Sequence, residues 1–110
     1  MSTYQNPQDL AKAKDLISLA PKEAQAFLAL KTVAERTDGI IPEKYRELIS
    51  IAVALTTQCA YCIDAHSKNA LMAGATLEEI AEVVFITAAL RAGAAVGHGL
   101  LALRLFDEAS

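Results

Sequence analysis

The sequence predicts an all-α protein of about six helices built around a central antiparallel helix pair. Three observations carry that expectation. Hydrophobic residues make up 54% of the chain, many of them alanine, which is small and a strong helix former. Apolar positions recur at helical spacing. Prolines, glycines and capping residues divide the chain into helix-length segments. Asn6-Pro7 reads as an N-cap with proline at the first helical position, opening a helix to about Ser18. Pro21 opens a second, with Ala24, Phe27, Leu28, Leu30, Val33 and Ala34 at helical spacing, and Thr37-Asp38-Gly39 ends it, Gly39 being free to take the left-handed conformation. Pro42 opens a third that runs into Leu48–Leu55. That run holds Ile49, Ile51 and Val53, so a buried strand competes, but the Pro-Glu-Lys-Tyr-Arg-Glu lead-in favours helix. A bend at Thr56-Thr57-Gln58 leads to a fourth helix from about Cys59 to Ala73, stopped by Gly74. Thr76 caps a fifth, with Glu79 completing a capping box, and Ile80, Val83, Val84, Ile86 and Thr87 form its apolar side. Gly93 and Gly97 are expected to interrupt it, leaving a last helix from about Ala94 to Glu108.

The 110 residues fit one domain, 1–110. A chain this short has little interior for so apolar a composition (mean hydropathy +0.30), so part of its surface is expected to be covered by other copies of itself. Net charge is -3, and no cluster of Lys and Arg follows a phosphate backbone, which argues against nucleic acid. The N-terminus carries no basic-then-apolar targeting pattern. The longest uncharged stretch, Leu48 to Ile63, is 16 residues, short of the ~18–20 that span a bilayer. The expected setting is therefore cytoplasmic, with no membrane partner.

The two cysteines stand in Cys59-Ala60-Tyr61-Cys62-Ile63-Asp64-Ala65-His66. In a reducing compartment such a pair is more often catalytic or metal-binding than structural. On a helix, Cys59, Cys62 and His66 lie along one stripe. Cys59 falls at the helix N-terminus, where free amides and the helix dipole favour a thiolate. His66, one turn beyond Cys62, is placed to take its proton, and the second cysteine can resolve a sulfenic acid before over-oxidation.

Glu47 precedes the uncharged stretch. In one straight helix it would lie about 18 Å from Cys59. If the chain reverses near Thr57, the two helices run antiparallel and Glu47 comes level with roughly Ser67, beside His66, where a carboxylate fixes the imidazole tautomer.

Glu47, Cys59, Cys62 and His66 form a Glu-x11-Cys-x2-Cys-x3-His arrangement. This resembles the carboxymuconolactone decarboxylase-like family, and within it the AhpD-like alkylhydroperoxidase branch, over about residues 42 to 105. The resemblance implies an all-helical fold, a cyclic homo-oligomer of trimer or hexamer type, and hydroperoxide reduction through a cysteine pair without a cofactor. A thiol reductant (dihydrolipoamide, a thioredoxin-like protein or another) would supply the electrons. It further implies Cys62 as the peroxidatic and Cys59 as the resolving cysteine, with Glu47 and His66 in the proton relay. Two departures stand out: Tyr61 occupies a place where AhpD has a histidine, and the sequence is shorter than AhpD, which contains an extra helical portion.

Other readings compete. Cys59, Cys62, His66 and distant His98 offer a zinc tetrad, although zinc knuckles favour glycine-containing turns over this Ala/Tyr/Ile context. The cysteines can also be a packing pair. His98, among Gly93, Gly97 and Gly99, reads as a packing or interface residue. Tyr61 either lines the site entrance or packs, and Glu78, Glu79 and Glu82 read as a solvated face. Cofactor-free decarboxylation of the namesake type and a non-catalytic redox sensor are the alternatives to peroxide reduction. The decarboxylase chemistry has no need of a CxxC pair.

Overall fold

In a computed structural model, residues 5–110 are described; Met1–Tyr4, part of the stretch read for a targeting pattern, lie outside them. Among the described residues there are only helices and the turns that join them. A 3-10 turn, Pro7–Lys12, is followed by α1 (Ala13–Leu19), α2 (Pro21–Ala34), α3 (Glu43–Thr57), α4 (Ala60–Met72) and α5 (Leu77–Ala109). The fold is all-α, with the antiparallel pair α3 and α4 at its centre.

Caps fix most of the boundaries. Asn6 Oδ1 accepts from the Gln8 N–H at 2.9 Å, and Asp9 Oδ2 accepts from the Asn6 N–H at 3.2 Å, closing a capping box at the 3-10 turn. The Thr76 hydroxyl accepts from the Glu79 N–H at 3.1 Å, and Glu79 returns the bond to the Thr76 N–H at 3.0 Å. Gly74, with φ 91°, stops α4 as expected. The reversal after α3 is made by Gln58, whose φ of 57° and ψ of 44° put a non-glycine residue in the left-handed region. Thr56 and Thr57 prepare it by bonding their hydroxyls to the carbonyls of Ala52 and Val53, each at 3.0 Å.

Two boundaries differ from expectation. α2 ends at Ala34, short of Gly39, and Gly39 is not left-handed. Its smallness serves another purpose. A Cβ there would lie 1.7 Å from the Arg46 guanidinium, which crosses this point to donate to the Ala34 and Ile41 carbonyls at 2.8 Å each. Arg46 thus pins the end of α2 and the following loop to α3. The second difference is at Gly93 and Gly97, where α5 continues unbroken for 33 residues. A glycine costs a helix interior about 1 kcal/mol but does not end it, and neither a capping side chain nor a proline precedes Ala94.

The core is small: Ile51, Ala70 and Val83 are buried where α3, α4 and α5 meet, with Leu48, Leu55, Ala75 and Ile80 packed around them, and Ala54 of α3 is also buried. On α5 the inward stripe is Ile80, Val83 and Thr87, while Val84 and Ile86 face outward. α1 packs on α2, the 3-10 turn reaches α4, and α2 has no helix-on-helix packing with the central pair. Beyond Thr87, α5 is exposed along nearly its whole length. By length and composition alone this helix is long and apolar enough to cross a bilayer, which the expected break at Gly93 would have prevented.

Candidate active site

The cysteine pair sits at the N-terminus of α4. Cys59 is the N-cap residue, in extended backbone conformation, and its Sγ accepts from the Cys62 N–H at 3.2 Å. The two cysteines are joined by a disulfide, with Cα atoms 5.3 Å apart. That separation is what one helical turn provides, so the spacing of the motif and the cap conformation bring the sulfurs together without distorting α4. Both residues are half-buried.

His66 lies one turn further along α4. Because Gln58 reverses the chain, α3 runs back beside α4 and delivers Glu47 to the imidazole: Glu47 Oε2 lies 2.6 Å from His66 Nδ1. Glu47 is a buried carboxylate and the His66 side chain is 11% exposed. A carboxylate so enclosed needs a partner that carries protons, and the imidazole is the one it has. Cys62 and His66 also line the same shallow cavity, about 270 Å³, whose other walls are Ile49, Ser50, Val53, Ala54 and Thr57 of α3. The cavity is mostly apolar, so a small reactant entering it meets the disulfide and the imidazole in a poorly hydrated setting.

One site residue has no signal in the helical pattern. Glu35, the C-cap of α2, places Oε1 3.1 Å from His66 Nε2, so the imidazole stands between two carboxylates. Glu35 also pairs with Lys31 one turn back on α2. It reaches the site because Arg46 holds the neighbouring Ala34 carbonyl.

The Tyr61 hydroxyl donates to Asp9 Oδ2 at 2.5 Å, so Tyr61 ties the 3-10 turn to the start of α4. That bond to the Asp9 carboxylate, which the phenol donates only while protonated, raises the Tyr61 pKa. Glu79, read as part of a solvated face, meets Lys44 of α3 at 2.9 Å. His98 lies on the exposed part of α5, on a different element from the cysteine pair, and no side chain approaches the Cβ positions of Gly93, Gly97 and Gly99 within 4 Å.

The family model described as "Carboxymuconolactone decarboxylase family" matches residues 21–105, a span that contains Glu35, Glu47, Cys59, Cys62 and His66. The chain belongs to the carboxymuconolactone decarboxylase family. A solved structure of a carboxymuconolactone decarboxylase family protein from Legionella pneumophila, in its apo form, superposes with a TM-score of 0.67. It is 28% identical, with 76% of this chain and 73% of that one covered. Among curated proteins, "Uncharacterized protein 4 in cox locus" of Paracoccus denitrificans is 46% identical over 83 residues, 76% of this chain and 74% of its own length. A protein of Cupriavidus necator is 33% identical over 87 residues, covering 79% of this chain and 76% of its own. The carboxymuconolactone decarboxylase family includes decarboxylases and AhpD peroxidases.

Proposed function

We propose that the protein is a cysteine-pair oxidoreductase that reduces hydroperoxides, cycling Cys62 and Cys59 between dithiol and disulfide. The observation that carries this reading is the Cys59–Cys62 disulfide at a helix N-terminus, with His66 one turn away and held by Glu47. In the dithiol state His66 takes the Cys62 thiol proton. The thiolate attacks the distal peroxide oxygen, the O–O bond breaks, and the alkoxide leaves with the proton from His66, giving Cys62 sulfenic acid and an alcohol. The Cys59 thiol then attacks the Cys62 sulfur, releasing water and forming the disulfide. An external dithiol restores both thiols and is itself oxidised. Cys62 is the first nucleophile in this scheme because His66 stands one turn from it and nearly two from Cys59. The Cys62 amide aimed at Cys59 Sγ supports negative charge on that sulfur during dithiol exchange, which suits Cys59 to meet the reductant.

Exposed apolar side chains along α5, among them Leu90, Val96, Leu100 and Phe106, support a homo-oligomer in which copies cover one another. Arg91, near the middle of that helix, disfavours a lipid surrounding, where a central charge costs about 2.5 kcal/mol or more. A cytoplasmic, reducing setting suits a disulfide that must be reopened at each turnover.

The test is thiol chemistry in single variants. Cys59→Ser should consume one equivalent of peroxide and accumulate a sulfenic acid at Cys62, while Cys62→Ser should be inert towards peroxide. The opposite pattern reverses the two roles. Turnover of a lactone substrate that survives both substitutions would instead favour the reaction for which the family is named.

A further inference from the structure

His66 has a carboxylate oxygen at each ring nitrogen, Glu47 at 2.6 Å from Nδ1 and Glu35 at 3.1 Å from Nε2, and the cysteines are disulfide-bonded in the same structure. A bare ring nitrogen against a carboxylate oxygen is repulsive; a proton carried by the ring at each nitrogen turns both contacts into charge-assisted hydrogen bonds. With both positions filled the imidazole has no lone pair to act as a base. It is set up as an acid. A base is what peroxide attack by Cys62 requires; an acid is what the opposite half of the cycle requires, because reopening the disulfide releases a Cys62 thiolate that must be protonated.

We infer that Glu35 is a positioning residue that holds His66 doubly protonated in the disulfide form, and so prepares it to protonate Cys62 when the disulfide is reduced. This rests on the cysteine-pair reading. The step balances: an external dithiol gives two electrons and becomes a disulfide, the Cys59–Cys62 bond breaks, and the two protons of the dithiol are returned to the two sulfurs. Cys62 receives its proton from His66, and solvent reloads the ring through Glu35. The two carboxylates are unequal in a way that suits this division. Glu47 is buried on α3, within the packed pair, and keeps Nδ1 throughout. Glu35 stands at a helix terminus with its side chain 31% exposed, beside Lys31, so it reaches both Nε2 and water. It is also the carboxylate that gives way to leave Nε2 free when Cys62 is a thiol. Arg46, by pinning the Ala34 carbonyl, and Gly39, by leaving room for that guanidinium, place it there.

The experiment measures the two half-reactions separately in the full chain, by stopped-flow reduction of the disulfide with dithiothreitol and oxidation of the dithiol with hydrogen peroxide. Glu35→Gln keeps the shape and removes the charge. It should slow reduction at least ~10-fold more than it slows oxidation, within the range expected for loss of proton-transfer assistance, and Glu35→Asp should recover part of the loss. Nitrogen NMR of the oxidised protein supplies the second readout. Both His66 ring nitrogens should be protonated in the wild type and only one in Glu35→Gln. Equal slowing of both halves, no slowing of either, or a singly protonated ring in the oxidised wild type overturns the assignment. His66→Ala tests the underlying reading by itself: it should slow both halves, and if it slows neither, the cysteine-pair mechanism fails whatever Glu35 does.

Discussion

Glu47 acts on one side of one ring, and the energetics of that contact follow from its enclosure. Substituting it with alanine leaves His66 Nδ1 without its partner in a part-buried position, an uncompensated polar group rather than a cleanly deleted interaction. Glu47→Ala should therefore slow formation of the Cys62 sulfenic acid by ~10²–10⁴, measured by peroxide consumption in a Cys59→Ser background. Glu47 was legible because it stands twelve positions before Cys59 and the chain reverses between them, so one bend decides the pairing. Glu35 was not. It is 31 positions from His66, in a charged stretch with Lys31, Arg36 and Asp38 that reads as a solvated helix end, and neither spacing nor periodicity links it to the cysteines. It arrives through Arg46, whose reach back to the Ala34 carbonyl is a long-range hydrogen bond that no helical pattern encodes.

Helices here are fixed at their ends more than along their faces. Thr76→Ala removes half of the capping box that opens α5 and should cost about 1 kcal/mol, measured by urea denaturation. The Lys44–Glu79 bridge ties the start of α3 to that of α5 and carries a pH signature. Its hydrogen bond to Glu79 raises the Lys44 pKa, and the same bond, helped by the Thr76 amide, lowers that of Glu79. A lowered carboxylate contributes stability above its ordinary range and loses it as pH falls through the folded value. A raised lysine contributes below its ordinary range and loses it as pH rises through the folded value. The denaturation midpoint of Lys44→Met should thus lie below wild type at neutral pH, and the gap should close in acid and shrink in high salt. Gly39→Ala should keep the fold, since only a flexible guanidinium tip must move, yet should reproduce the Glu35→Gln imbalance between the half-reactions because Arg46 loses its seat. The caps at Asn6, Thr76 and Gly74 could be read directly, as could the Gln58 bend, because each is a local interaction. The continuity of α5 was not legible: glycine lowers helix propensity without forbidding helix, and the sequence signal for a break and for a tolerated glycine is the same.

At the scale of the whole chain, the radius of gyration is 18.3 Å, against about 13 Å for a closed globule of this length. A long arm of α5 and the α1–α2 hairpin extend from a small core, and both present apolar side chains. That openness is what the proposed homo-oligomer would cover. Sedimentation in dilute, reduced solution should give a multiple of the 11.7 kDa chain mass, and Leu100→Glu should lower that mass while circular dichroism still reports helix. A stable wild-type monomer would contradict the proposed assembly. The CxxC crosslink matters differently at this scale. It closes a ring within a single turn of α4, so it fastens that helix to itself and joins no two parts of the molecule. Making or breaking it severs no tie between elements, and the α3–α4 packing that carries Glu47 to His66 is mechanically indifferent to whether electrons are stored in the sulfurs. Oxidised and reduced samples should accordingly give superimposable far-ultraviolet spectra: in the proposed cycle the sulfurs would gain and lose electrons without the scaffold registering the event.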